Sequence, residues 1–99
     1  MNTTEVTVVR LYLREGHEIL SKVMKELQGN VRGVTAFRGI AGFGDHGELH
    51  TSALIDLSLD LPLVVEFFEE STKAVQLIEK LNEFDEVHHI LSWSANVHG

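Results

Sequence analysis

Residues 33–62, GVTAFRGIAGFGDHGELHTSALIDLSLDLP, decide how this chain is organised. The segment starts with strand-forming residues and then places Gly39, Gly42, Gly44 and Gly47 within nine positions. Glycine loses more backbone freedom on folding than any other residue, so it is used where the backbone bends sharply or a ligand comes close. We therefore predict a functional loop here, with a βαβ-like segment on either side.

The residues before this loop predict a strand, a helix and a second strand. The first strand, Glu5–Arg14, alternates between an apolar face and a mixed face. The apolar face holds Thr7, Val9, Leu11 and Leu13, and the mixed face holds Val6, Val8, Arg10, Tyr12 and Arg14. The helix, His17–Gln28, ends at Gly29-Asn30, because both residues tolerate the left-handed conformation.

The second strand is predicted at Val34–Ala41, with a bulge at Gly39. We expect Val34 and Ile40 to extend the mixed face of the first strand, which is too apolar to leave in water and should meet another subunit. Arg38 has apolar neighbours on this strand and needs a partner, either an ion pair across a subunit contact or a bound anion.

The residues after the loop predict a strand, a helix and a final strand. The strands are Leu63–Glu69 and Val87–Val97, and the helix covers Thr72–Phe84 with Ser71 as its N-cap. The predicted buried stripe of the helix consists of Ala74, Val75, Ile78 and Leu81, with Leu77 at its margin. Within the loop, residues 49–57 alternate enough to add a short hairpin strand.

The element order predicts an α+β fold. Two βαβ units joined by a long loop give a ferredoxin-like β-α-β-β-α-β sandwich, in which an antiparallel sheet carries two helices on one face. The length of 99 residues fits a single domain, 1–99. A loop longer than the fold requires is usually functional, and its few apolar contacts predict the most mobile internal segment.

The amino-acid composition restricts the classes of partner and the cellular compartment that we expect for this protein. The formal net charge is −7 and the basic residues are scattered singly, which does not suit nucleic acid. The absence of cysteine excludes disulfides and thiolate metal sites, and agrees with a reducing cytoplasm. The N-terminal residues do not resemble a signal peptide, and no apolar run has membrane-spanning length. We expect a soluble, cytoplasmic protein without membrane insertion.

The sequence contains only weak signals for a catalytic site or a metal site. No nucleophile elbow or HExxH motif occurs, so we do not expect an enzyme. Six histidines are many for this length, and His46 and His50 are four residues apart. Because they lie in a loop or strand, a metal site would need ligands from other segments or subunits. Solvated or hydrogen-bonded histidines are the simpler interpretation.

Three motifs resemble the PII-like superfamily of trimeric signalling proteins. Gly33-Val34-Thr35 is similar to the turn that enters the second strand, and Gly42-Phe43-Gly44 is similar to the base of the family's T-loop. Leu61-Pro62 is similar to the point where that loop rejoins the third strand. RGIAGFG, His50-Thr51 and Asp60–Pro62 resemble an uncharacterised branch of the superfamily.

The resemblance implies a homotrimer that binds an adenine nucleotide between subunits and signals through loop 42–61. Such loops act on a target that is often a membrane transporter or an enzyme. The implied ligand-binding residues are Gly33, Val34, Thr35, Arg38, Gly39, Gly42, Phe43 and Gly44. The family's second phosphate-binding loop and its Arg-x-Arg pair are missing, because residues 82–99 contain no lysine or arginine. AMP or ADP is therefore expected in preference to ATP.

Two other interpretations stay open. The first is a metal-binding trimer resembling the CutA divalent-cation tolerance proteins, with His46 and His50 as candidate ligands; the number of histidines favours it, and the GFG loop counts against it. The second is a purely structural trimer whose loop binds nothing.

Overall fold

The computed structural model describes residues 2–13, 17–42, 50–51 and 63–99. The elements are β1 (Thr3–Leu13), α1 (His17–Leu27), β2 (Val34–Arg38), β3 (Ala41–Gly42), β4 (His50–Thr51), β5 (Leu63–Glu69), α2 (Ser71–Leu81) and β6 (Val87–His98). The predicted order of two βαβ units is confirmed. The short hairpin strand predicted within 49–57 is found at His50–Thr51, where it pairs with β3.

The main sheet has four antiparallel strands in the order β2-β5-β1-β6. The central strand β1 pairs with β5 from Thr7 to Leu13 and with β6 from Thr3 to Leu13. Each βαβ unit thus contributes one central and one edge strand, which is the predicted ferredoxin-like arrangement. Neither described helix is long and apolar enough to cross a membrane.

The core lies between the helices and one face of the sheet. Its buried members are Val9, Leu11, Leu13, Ile19, Val23, Leu27, Leu63, Val65, Phe67, Ala74, Leu77 and Leu81. Alternate residues of β1 and β5 reach this core because successive side chains of a strand point to opposite faces. The predicted apolar face of β1 is confirmed at Val9, Leu11 and Leu13.

Two predictions about α2 are wrong. Leu77 is 5% exposed and Val75 is 52% exposed, so Leu77 belongs to the buried stripe and Val75 does not. Ala74, Leu77 and Leu81 follow the spacing i, i+3, i+7, which places them on one helix face. The N-cap is Glu70, whose carboxylate accepts a hydrogen bond from the N–H of Lys73 at 2.8 Å. Ser71 is the first helical residue.

The end of α1 follows the prediction, whereas β2 does not. Gly29 has φ of 81°, the left-handed conformation expected after a helix. Strand β2 stops at Arg38, so Gly39 lies in a connection rather than in a bulge. Val34 pairs with Phe67 and packs against the core, so it is not part of the mixed sheet face.

Candidate functional site

The predicted ligand-binding turn lies where the chain enters β2, at one edge of the sheet. Val34 is half-buried against the core, so only its backbone is available to a ligand. Thr35 is exposed and stands opposite Glu66 of β5 on the other face of the sheet. The turn therefore offers the Thr35 hydroxyl and the peptide groups around Gly33.

Gly33 has no steric reason within the subunit to be glycine. Its φ lies outside the left-handed region, and a Cβ built on it meets no atom within 4 Å. Gly29, by contrast, has a positive φ that side chains rarely adopt. The space beside Gly33 is therefore open to a molecule from outside, such as a ligand or another subunit.

A buried carboxylate holds this turn in place. Glu69 is 6% exposed, and its Oε2 accepts a hydrogen bond from the backbone N–H of Arg32 at 2.9 Å. The same oxygen lies 3.7 Å from Nε of Arg32. The guanidinium of Arg32 also stands 5.5 Å from the ring centroid of Phe68. These contacts connect the end of β5 to the peptide that precedes Gly33.

The partnership of Arg32 and Glu69 was not predicted from the sequence. A signal was present, since Glu69 continues the alternation of the core-facing residues Leu63, Val65 and Phe67. A carboxylate in such a position requires a hydrogen-bonding or charged partner. The arginine that directly precedes the predicted turn was the natural candidate.

Arg38 and Gly39 lie at the other end of β2. Arg38 stands opposite Leu63 and its side chain is exposed, so its charge is not buried within one subunit. Gly39 is half-buried in the connection to β3. Both residues are thus close in the chain to the base of the glycine-rich loop.

The base of that loop is a two-residue antiparallel ladder. Ala41 pairs with Thr51, and Gly42 pairs with His50. The structure thus brings the first and last described residues of this loop region together. Phe43, Gly44 and His46, like most of the predicted signalling loop 42–61, lie outside the described residues.

The metal interpretation has no complete site in the described part of the chain. Among residues 2–13, 17–42, 50–51 and 63–99, no group of three or more His, Asp or Glu side chains could hold a metal ion. The ladder places His50 directly opposite Gly42, which offers no side-chain ligand.

The sheet face that does not carry the helices has an unusual composition, and we call it the open face. Its members are Val6, Val8, Arg10, Tyr12, Thr35, Phe37, Val64, Glu66, Phe68, His89, Leu91, Trp93 and Ala95. Four large members are substantially exposed: Phe37 (49%), Phe68 (37%), Leu91 (48%) and Trp93 (41%). Several large apolar side chains exposed on one sheet face indicate an interaction site.

An ion pair occupies the middle of the open face. Nε and a terminal nitrogen of Arg10 donate hydrogen bonds to Oε1 of Glu66 at 3.0 and 2.7 Å. The guanidinium also stands 5.3 Å from the ring centroid of Trp93. Hydrogen bonding to Glu66, and secondarily to Tyr12, raises the pKa of Arg10. The cluster thus joins β5, β1 and β6 across the sheet.

Comparison with known proteins supports the fold and defines the family. The model of the DUF190 family, described as Uncharacterized ACR, matches residues 6–97. A UPF0166 protein of Aquifex aeolicus (strain VF5) is 30% identical over 76 residues, which make up 77% of this chain and 79% of the relative.

Two solved structures share the fold. CPII, a nitrogen regulatory PII-like protein from Thiomonas intermedia K12 bound to ADP, AMP and bicarbonate, has a TM-score of 0.69 at 18% identity, over 97% of this chain and 89% of CPII. CutA1 from Oryza sativa has a TM-score of 0.60 at 14% identity, over 98% of this chain and 84% of CutA1. The chain has the PII-like fold and belongs to the DUF190 family.

Proposed function

We propose that this protein is a regulatory, non-catalytic protein of the PII-like type, which binds AMP or ADP between the subunits of a cytoplasmic homotrimer. The observation that carries the proposal is the open turn at Gly33, which lies at a sheet edge and is held by Glu69. The similarity in fold to CPII, whose structure contains ADP and AMP, supports a nucleotide as the ligand.

Each part of the ligand would meet a different part of the chain. The base and ribose would contact Gly33, Val34 and Thr35, where the backbone and one hydroxyl are accessible. The phosphates would lie near the loop base, on the amides of residues 42–44, with Arg38 and Gly39 beside them. Successive backbone N–H groups can bind an anion in this way.

Signalling would use the loop 42–61. A ligand shifts a conformational equilibrium only by the difference between its affinities for the two states. AMP or ADP bound at the loop base would therefore favour one loop state, and that state would contact a target such as a transporter or an enzyme. Amide exchange within 43–61 should then change on nucleotide binding, whereas exchange in α1 should not.

Native mass spectrometry of gently purified protein tests the assembly and the ligand together. We expect three subunits per particle and retained adenine nucleotide, or saturable uptake of added AMP. A monomer at micromolar concentration would contradict the trimer. A trimer that takes up none of AMP, ADP and ATP would contradict the nucleotide.

A second candidate function is binding of a divalent metal ion, as in the CutA interpretation. The similarity in fold to CutA1 favours it, together with the six histidines of the chain. His46 and His50 would then be joined by ligands from another subunit. Stoichiometric uptake of Zn²⁺ or Cu²⁺ that is abolished by His46→Ala or His50→Ala, with no nucleotide binding, would decide for this alternative.

A further inference from the structure

We propose that Arg32 contacts the base of the nucleotide at the proposed site, and that the flat face of its guanidinium packs against the adenine ring of AMP or ADP. This inference rests on the proposed function and deepens it. The turn so far offers a ligand the peptide groups around Gly33 and the hydroxyl of Thr35. Arg32 adds a side chain for the base.

The side chain of Arg32 is held in place without being buried. Its Nε lies 3.7 Å from Oε2 of Glu69, and its guanidinium stands 5.5 Å from the ring centroid of Phe68. The side chain nevertheless remains 63% exposed. A planar group that is both oriented and accessible loses little conformational freedom when a ligand packs on it, which favours binding.

The contact of Arg32 with Glu69 differs from an ordinary surface ion pair. Nζ of Lys80 lies at the same distance, 3.7 Å, from Oε2 of Glu26, but that carboxylate is only half-buried. The carboxylate of Glu69 is buried, and the same oxygen also accepts the backbone N–H of Arg32 at 2.9 Å. The backbone and the side chain of Arg32 thus have a common partner, which fixes the guanidinium relative to the turn.

The space beside this guanidinium admits a flat ring. A Cβ built on Gly33 meets no atom within 4 Å, and Gly33 directly follows Arg32. A ring that approaches the Gly33 peptide therefore comes within reach of the guanidinium. Phe68 covers one side of that group, so the ring would pack on the other side. Guanidinium planes stack both on aromatic side chains and on nucleic-acid bases.

The position of Arg32 along the chain suits the base rather than the phosphates. Arg32 precedes β2, and Arg38 is the last residue of that strand, next to the loop base where the phosphates are proposed to lie. The charge of Arg32 is compensated by Glu69, which makes it a poor phosphate ligand. Its plane stays accessible, so packing is the contact that it can offer.

Two substitutions at Arg32 separate a contact through the plane from a contact through the charge. Arg32→Lys keeps the charge and removes the plane, whereas Arg32→Met removes both. Both variants keep the backbone N–H that donates to Glu69, so the turn should remain intact. Thermal denaturation checks the fold, and isothermal titration calorimetry at low and high salt measures the affinities for AMP and ADP.

We expect both variants to weaken AMP and ADP by the same factor, about tenfold, as for the loss of one stacking partner of a base. The factor should not change with salt, because salt screens charges and not packing. Arg38 provides the matched comparison. Arg38→Lys should keep most of the affinity, since lysine also binds phosphate. Arg38→Met should weaken ADP more than AMP.

Nuclear magnetic resonance gives a second measurement on the wild-type protein. The Nε–H signal of Arg32 is identified by its absence from the spectrum of Arg32→Lys. A ring packed on the guanidinium should shift this signal when AMP is added.

The outcomes separate this inference from the proposed function. Wild-type protein that binds neither AMP nor ADP would contradict the proposed function, and the inference with it. Wild-type protein that binds AMP, while folded Arg32→Lys binds it equally well, would overturn only the contact with the base. A loss confined to Arg32→Met and larger for ADP than for AMP would also overturn it, because Arg32 would then contact the phosphates.

Discussion

The two faces of the main sheet are built from the same four strands, yet the side chains of one face are buried and those of the other are partly exposed. On the helix side, Val9, Leu11 and Phe67 are at most 2% exposed, and the core is closed within one chain. On the open face, Phe68, Leu91 and Trp93 are between 37% and 48% exposed. Both sides thus carry large apolar side chains, but the two helices of the described residues cover only one of them.

The difference indicates which face of the sheet can serve as an interaction surface. An antiparallel sheet with a single helix layer normally shows polar side chains to water on its free face. Here the free face combines exposed large apolar side chains with a compensated ion pair, as in an interface. The helix side should therefore determine the stability of the subunit, and the open face should determine its assembly.

Phe67 and Phe68 provide the strongest test of this division, since they are adjacent on β5 and point to opposite faces. Phe67→Ala should reduce the free energy of unfolding by about 3–5 kcal/mol, because it leaves a cavity in the core. Phe68→Ala should cost about 1 kcal/mol or less in the isolated subunit. Urea denaturation at several protein concentrations measures both effects.

The two variants should also differ in assembly. Phe68→Ala should weaken self-association in sedimentation experiments, whereas the milder core variant Phe67→Leu should leave it intact. Equal loss of stability in Phe67→Ala and Phe68→Ala would contradict the division between the faces. It would mean that the open face is already part of the subunit's own core.

Glu69 is the polar exception on the helix side, and its removal should have the next largest effect on the free energy of unfolding. Glu69→Ala leaves the N–H of Arg32 without its acceptor, which should cost about 1–3 kcal/mol. Glu69→Gln keeps an acceptor oxygen and should cost less. The same denaturation experiment measures both variants, and a larger loss for glutamine than for alanine would contradict the hydrogen-bonding role.

The strand alternation and the helical periodicity were sufficient to predict the fold. The apolar face of β1 and the left-handed Gly29 follow from local chemistry, and the structure confirms both. The errors concern single positions. Ser71 is a better N-cap by residue type, but Glu70 holds that position because its carboxylate reaches the N–H of Lys73. Which of two neighbouring residues caps the helix depends on the angle at which the chain enters it.

The candidate site was less predictable because its contacts join distant segments. Val34 and Phe67 are paired neighbours, and this register places Val34 on the core side, although β2 alone is compatible with either face. The contact of Glu69 with Arg32 spans 37 positions in the sequence. Periodicity within one element carries no information about such a pair.

Gly33 and Gly29 allow a test of the proposed ligand turn. Gly33→Ala should leave the free energy of unfolding unchanged or raise it slightly, by up to about 1 kcal/mol, because its φ and its surroundings accept a Cβ. If AMP approaches this turn, the same variant should reduce AMP affinity at least about tenfold, or 1.4 kcal/mol.

Gly29→Ala is the matched control. Its φ of 81° should make the substitution cost about 1–2 kcal/mol of stability, with no effect on AMP affinity. Thermal denaturation and isothermal titration calorimetry give the two readouts. Undiminished AMP binding by Gly33→Ala would place the ligand elsewhere on the protein.

The smallest expected effect is the preference among nucleotides: AMP and ADP should bind at least as tightly as ATP. Each added phosphate meets a protein of formal charge −7, although salt screens much of this repulsion beyond about 8–10 Å. The cations near the turn are few, since the guanidinium of Arg32 already faces Glu69 and residues 82–99 contain no lysine or arginine. Backbone amides at the loop base would compensate only the first phosphates.

Isothermal titration of the three nucleotides, with and without Mg²⁺, measures the preference. Tenfold tighter binding of ATP than of AMP, about 1.4 kcal/mol, would require a cationic phosphate site contributed by another part of the assembly.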